Sequence, residues 1–194
     1  MTKLIGISGS LRQGSMNSAL LRAARDLMPE GSSLRICSIS GIPLYDGDVE
    51  QREGIPAAVA DLKEAIAEAD GLILATPEYN NSVPGVLKNA IDWLSRPASD
   101  IPHVFGGKPV ALMGASPGPF GTLLSQTAWL PVFKTLGAQL WSGDRLFVSR
   151  ASDVFGEDGT LTDARIRERL TRFLLGFDAF AQAHGPVRDR AVPD

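Results

Sequence analysis

Five times along this chain a short apolar run gives way to a stretch in which apolar residues recur every three or four positions. This alternation constrains the fold more than any other feature of the sequence, because a strand followed by a helix followed by another strand is the repeating unit of a parallel sheet. Strands are expected at residues 4–7, 34–39, 72–75, 110–114 and within 139–148, the last bent near Gly143. Helices are expected to open at Asn17, Pro56, Pro84 and Thr122, and at Thr162 as a cap. The run 110–114 is apolar throughout, as strands covered on both faces are. The expectation is an α/β fold, a five-stranded parallel sheet with helices on both faces in a three-layer sandwich.

The connections carry further signals. Residues 41–54, with Pro43, Gly47 and several acids, read as a long surface connection, and Pro131 should kink or divide the helix it falls in. Residues 153–159 read as an acidic loop or hairpin. The last helix repeats Ile166, Leu170, Phe173, Leu174, Phe177 and Phe180 at helical spacing and should end near His184 and Gly185. The expectation is a single domain over 1–185, followed by a mobile tail at 186–194.

In a sheet of this kind ligands sit beyond the carboxyl ends of the strands, where the strand order reverses. That rule selects three loops, 8–17, 76–84 and 115–121. The first, SGSLRQGSMN, supplies Ser8, Ser10, Ser15 and Asn17 as donors, with Gly9 and Gly14 to turn main-chain N–H groups toward one point and Arg12 as a guanidinium fork. It has neither the Lys of a nucleoside triphosphate loop nor a G-x-G-x-x-G, which points to a terminal monophosphate held without metal. The alternative is a solvated strand-to-helix turn. The second loop, TPEYNNSVPG, could face a flat heteroaromatic ring, with the Tyr79 side chain as cover. The third, GASPGPFG, offers Ser116 and glycines that permit close approach.

Composition excludes several other readings. A net charge of −3 gives no electrostatic case for nucleic acid or an anionic membrane, and Trp93, Trp129 and Trp141 are too scattered for a base-stacking platform. No apolar run approaches membrane-spanning length, and the N-terminus lacks the pattern of a secretory signal. One cysteine, Cys37, forms no internal disulfide and suits a reducing cytoplasm; CSISGIP lacks the Arg-terminated loop of a cysteine phosphatase, so Cys37 reads as a buried strand residue. His103, in a Pro/Gly-rich turn, and His184, at a helix end, have no cluster with metal-ligand spacing, so no metal is expected.

GSLRQGSMN, then PEYNNSVPGVLKNAIDWLSRP, then GASPGPFG together resemble the NADPH-dependent FMN reductase family, and within it the bacterial chromate and quinone reductases. The resemblance implies a flavodoxin-like sheet of order 2-1-3-4-5, bound FMN, NADPH or NADH as electron donor, and a homodimer or homotetramer. It implies an FMN-phosphate loop at Ser10, Arg12, Ser15, Met16 and Asn17, with Met16 contributing main chain. It places Pro77, Glu78, Tyr79 and Asn80 beside the isoalloxazine and Ser116 at a further flavin contact. Where several relatives carry an arginine after the third loop, this chain has LLSQTAWLP. The implied activity is ping-pong hydride transfer from NAD(P)H through flavin N5 to quinones, flavins, chromate, azo or nitro compounds. It calls for no catalytic side chain, and Glu78 and Asn80 would support it by shaping the main chain. The competing readings are a flavodoxin-like electron carrier that does not turn over a nicotinamide, and a flavin-free regulatory domain of the same fold.

Overall fold

β1 (Lys3–Ser8) and β3 (Gly71–Ala75) lie side by side at the centre of a parallel sheet, pairing Leu4 with Gly71 through Ser8 with Ala75. β2 (Ser33–Cys37) pairs with the other side of β1, and β4 (Pro109–Ala115) with the other side of β3. The computed structural model describes residues 1–185, so the expected tail at 186–194 lies outside the described residues. The strand order is β2-β1-β3-β4-β5, as the resemblance implied, with one difference at the edge. The expected fifth strand is two short ones, β5 (Gln139–Leu140) and β6 (Leu146–Val148), both parallel to β4. Trp141 still donates its N–H to the Val110 carbonyl, and residues 142–145 leave the ladder.

Two apolar layers hold the sheet from opposite faces. On one, α3 (Ala57–Ala67), α4 (Gly85–Leu94) and α6 (Leu123–Thr135) contribute Val59, Leu62, Ile66, Leu87, Trp93, Trp129 and Phe133 against Ile5, Ile7, Leu72, Leu74 and Val110. On the other, α1 (Met16–Asp26) and α7 (Ala164–His184) set Leu20, Leu21, Leu170, Phe173 and Phe177 against Leu4, Ile73, Ala111 and Met113. Alternate residues of each strand thus enter different cores. Every residue of β3 and β4 is buried, which accounts for their uninterrupted apolar sequence.

Local chemistry moves several boundaries. α1 begins at Met16 with Ser15 as its cap, one residue before the expected Asn17. Asp163 caps α7 in place of Thr162, accepting the Ile166 N–H at 2.8 Å, while the Thr162 hydroxyl donates to the Val154 carbonyl. α6 runs undivided through Pro131, forgoing one helical bond. His103 lies in a short helix, α5 (Ile101–Val104), and not in a turn.

The connection expected at 41–54 contains a helix, α2 (Gly47–Glu53), capped by Asp46 with Asp48 and Glu50 in its first turn. The segment before it is strapped to α4. Asn89 accepts the Tyr45 N–H and donates to the Pro43 carbonyl, which also accepts from the Trp93 indole. Tyr45 stands edge-on to Trp93, its hydroxyl donates to Glu50, and Arg96 donates to the same carboxylate oxygen.

Candidate functional site

The carboxyl ends of β1, β3 and β4 open into three loops, tied to the scaffold by hydrogen bonds the sequence supplies locally. In the first, Ser8 accepts from the Ser18 hydroxyl at 2.9 Å, and the Ser15 hydroxyl accepts the Ser18 N–H at 3.2 Å. The N–H groups of Met16 and Asn17, in the first helical turn, have no acceptor within the helix and add their partial positive charge to the loop. Ser10 and Arg12 lie on the exposed arm of the loop, where the guanidinium donates to the Gly14 carbonyl at 3.3 Å.

Asn17 is placed differently from its expected role as a donor in the loop. Its side chain is buried, donating to the Ala115 carbonyl and accepting the Ala115 N–H, both at 2.9 Å. Met113 faces β3, since its carbonyl accepts the Thr76 N–H. Ala115, two residues on, therefore faces the same way past the end of β3, and the Asn17 carboxamide stands in for the missing strand. One amide side chain thereby joins the first loop to the third.

The second loop is held to α6. The buried Thr76 hydroxyl lies 3.0 Å from the Trp129 indole, which donates to it, and 2.8 Å from the Ser125 hydroxyl, and it donates to the Pro77 carbonyl. Glu78 accepts the Leu124 and Ser125 N–H groups at 2.8 and 3.1 Å, satisfying two donors at the start of α6. Its carboxylate is thus engaged in shaping the loop. Tyr79 and Ser82 exchange main-chain hydrogen bonds across Asn80 and Asn81, whose φ values of 50° and 61° make a turn with both central residues left-handed. Tyr79 stands half exposed at the rim.

In the third loop the Ser116 N–H donates to Val148, its hydroxyl accepts the Gly118 N–H, and its carbonyl accepts the Ala151 N–H. Gly114 is needed for the close approach of these elements. A Cβ there would lie 2.1 Å from the Thr122 hydroxyl oxygen and 2.3 Å from the Thr76 carbonyl oxygen.

These loops enclose a cleft of about 180 Å³ lined by Ser10, Arg12, Ser15, Met16, Asn17, Pro77, Glu78, Tyr79 and Ser116. The structure thus brings together nine of the ten residues singled out in the sequence; Asn80 lies outside the lining, in the turn that presents Tyr79. Ala115 and Pro117 also line it. Neither was singled out in the sequence, since a small apolar residue and a proline in a loop carry no chemical signal of their own. Ligand sites usually span roughly 300–1,000 Å³. A cleft of this size holds part of a nucleotide and leaves the rest reachable from solvent.

Cys37 ends β2, half buried against the α3–α4 core, and burial pushes its thiol above the ordinary range while Arg35 opposes weakly. A thiol so placed is a poor nucleophile. No group of histidine, cysteine and carboxylate side chains able to hold a metal occurs among the described residues. No helix among them is long and apolar enough to cross a membrane.

A doubly wound sheet of order 2-1-3-4-5, with a hydroxyl-rich loop at a helix N-terminus beside its switch point, is the framework of a flavodoxin-like nucleotide-binding protein. Comparison with known proteins narrows the class. Residues 2–153 match the NADPH-dependent FMN reductase family. An NAD(P)H-dependent FMN reductase of Pseudomonas aeruginosa is 46% identical over 172 residues, 89% of this chain and 91% of that protein. A 2-hydroxy-1,4-benzoquinone reductase of a Burkholderia species is 36% identical over 190 residues, 98% of each. The solved structure of the flavoenzyme NAD(P)H:(acceptor) oxidoreductase of Paracoccus denitrificans superposes with a TM-score of 0.85 at 30% identity, covering 95% of this chain and 100% of that one.

The chain belongs to the NADPH-dependent FMN reductase family. It is an oxidoreductase with FMN as cofactor and NAD(P)H as electron donor. The residues present suit that cofactor. Unpaired first-turn N–H groups, two serine hydroxyls and a guanidinium meet the needs of a phosphate, and Pro77 and Tyr79 meet those of a flat ring.

Proposed function

We propose that this protein is a quinone reductase, with residues 1–185 acting as one FMN-binding domain, and that its flavin lies in the cleft between the three loops. The observation that carries this reading is the convergence of nine residues from three separate loops on one cleft at the switch point. In it Ser10, Arg12, Ser15 and the N–H groups of Met16 and Asn17 hold the phosphate. Pro77, Glu78, Tyr79 and Asn80 set the loop against the ring, and Ser116 makes a further contact. FMN held by these residues would supply the two-electron chemistry, hydride transfer from NAD(P)H to the acceptor. Glu78 orients main chain and exchanges no proton, since its carboxylate is already accepting from α6. The cleft is small and open to solvent, so donor and acceptor would reach it by the same access in turn, which would give ping-pong kinetics. Quinones are the favoured acceptors because similarity to the benzoquinone reductase runs through 98% of both chains. Flavins, chromate, azo and nitro compounds share the same access.

Two further features belong to this reading. Phe120, Leu123, Leu124 and Leu130 are exposed beside the third loop and along α6, an apolar strip suited to a second copy of the chain. A homodimer or homotetramer is the proposed state, and light scattering at working concentration measures it. The cytoplasm is the proposed compartment, consistent with a single unpaired cysteine.

Anaerobic mixing of FMN-loaded protein with NADPH tests the whole reading. Rapid bleaching, reversed on adding a benzoquinone, is expected; a flavin that stays yellow for minutes would mark an electron carrier instead. Protein that is colourless and ignores FMN in a fluorescence titration would mark a regulatory domain.

A further inference from the structure

We propose that Arg150 is the docking point for the phosphate groups of the incoming nicotinamide dinucleotide; this rests on the reading of the cleft as a flavin site. Among the described residues only Asn80, Asn81 and Arg150 combine a side chain with positive φ. Asparagine tolerates that conformation because its short amide can bond locally, whereas arginine has no such compensation. Arg150 nevertheless sits at φ 47° and ψ 45°, just beyond β6.

What holds it there is the wall of the cleft itself. The Arg150 N–H donates to the Gly118 carbonyl at 3.1 Å, and the next residue, Ala151, donates to the Ser116 carbonyl at 3.0 Å. The Arg150 carbonyl accepts the Asp153 N–H at 2.9 Å. Ser116 and Pro117 line the cleft, so the main chain of Arg150 is fastened directly behind its third loop. An unfavourable conformation kept rigid beside a ligand site is the arrangement that points from strain to function.

The side chain is exposed, and among the described residues its guanidinium has no hydrogen-bond or ion-pair partner. Arg25, Arg52, Arg96 and Arg172 each pair with a carboxylate, and Arg12, Arg167 and Arg169 each donate to a carbonyl. The guanidinium groups of Arg22, Arg35, Arg145 and Arg165 also have no such partner among the described residues, and what sets Arg150 apart from them is its main-chain bond to a loop of the cleft. Asp153, three residues on, forms no ion pair with Arg150. Arg12 is the one arginine lining the cleft, and Arg150 is anchored by its main chain to the back of the third loop, outside that lining. Arg12, with the serines and the α1 N-terminus, is matched to the single phosphate of FMN. Arg150 is left for a second anion, and the dinucleotide is the reactant that brings one: its diphosphate, and in NADPH a 2′-phosphate as well.

The test uses full-length, FMN-loaded protein, titrated calorimetrically with the non-reducing NADP⁺ and NAD⁺, in wild type and in Arg150→Ala, Arg150→Lys and Arg150→Gly. FMN affinity is measured separately on apoprotein by fluorescence. Loss of a charge-assisted hydrogen bond predicts binding weaker by roughly tenfold or more in the Ala and Gly variants, with partial recovery in Lys. FMN affinity should be unchanged, and the KM for NADPH should rise in parallel while kcat holds. Arg150→Gly should also raise the thermal midpoint by removing the strained conformation, an effect that a merely structural arginine would show without any loss of dinucleotide affinity. Weakening confined to NADP⁺ assigns the 2′-phosphate; weakening of both assigns the diphosphate. Equal dinucleotide binding and equal KM in all variants, or a loss confined to FMN, overturns the proposal while leaving the flavin site intact. A wild type that binds no FMN would instead remove the flavin reading itself.

Discussion

Replacing Asn17 by Ala separates a residue that grips ligand from one that builds the place where ligand goes. The carboxamide is buried and makes both its hydrogen bonds to Ala115, at 2.9 Å each. Alanine would leave the Ala115 N–H and C=O facing an apolar gap. Each buried main-chain group left without a partner costs about 1–3 kcal/mol, and partial access of water to the cleft side brings the pair to about 2–4 kcal/mol. With a urea m-value of about 2 kcal/mol/M for a chain of this size, the unfolding midpoint should fall by roughly 1–2 M at unchanged m. FMN affinity should fall with it, because the first and third loops would no longer share an anchor. Asn17→Asp gives a signed control. Its carboxylate can still accept from the Ala115 N–H but would face the Ala115 carbonyl with like charge, so part of the stability should return at low pH as protonation restores a donor. Urea titration beside fluorescence-detected FMN binding reads both quantities. A variant that loses FMN with an unmoved unfolding midpoint would refute the anchor and make Asn17 a direct ligand contact.

Other consequences follow from the same geometry. Arg12→Ala, at an exposed loop position, should weaken FMN binding while leaving the urea midpoint in place. Glu78→Gln keeps an acceptor for the Leu124 and Ser125 N–H groups and should retain most activity, whereas Glu78→Ala should lose about 0.5–2 kcal/mol of stability by chemical denaturation, with weaker FMN binding. Gly114→Ala should cost about 1–3 kcal/mol or more, because the added methyl meets a main-chain carbonyl that cannot rotate away. Arg96 holds the Glu50 carboxyl below the usual carboxylate range, with the Tyr45 hydroxyl helping, and Lys63 does the same for Asp100. Both shifts favour the folded state above the ordinary carboxylate range, so their contribution is lost as pH falls through the lowered values. Tyr45 is raised, chiefly by its bond to Glu50, and its share is lost above its ordinary value near 10. Glu50→Gln should flatten the acid limb of a stability profile measured by thermal melting across pH.

A feature of this fold is legible in the sequence where its signal is local. The parallel sheet with helices on both faces follows from alternating apolar runs, the strand order was implied only by the family resemblance, and β3 and β4 declare their double burial in composition alone. The cleft residues were findable because hydroxyl, guanidinium and Pro-Glu-Tyr-Asn chemistry is concentrated in loops that the sheet must bring together. Helix α2 has no apolar signal in the sequence because it buries none of its residues; Asp46 and the strap through Tyr45, Asn89 and Trp93 place it, and most of those contacts span 40 or more positions. Trp141 packs against Phe173 and Phe177 of α7, and a Cβ at Gly143 would lie 2.5 Å from its indole nitrogen. An edge strand that must make room for that ring breaks where the apolar pattern alone predicts only a bend. Asn17 shows the same limit from the other side: its type and spacing suit a phosphate loop, yet its partner is a main-chain group 98 positions away. Arg150 is the extreme case. Ser149-Arg150 carries no mark in composition or periodicity, and only the carbonyls of Ser116 and Gly118, fixed by the third loop, turn it into a left-handed arginine anchored behind that loop. Local pattern therefore specifies which loops meet, while long-range hydrogen bonds decide which of their side chains build the cleft and which remain available to a ligand.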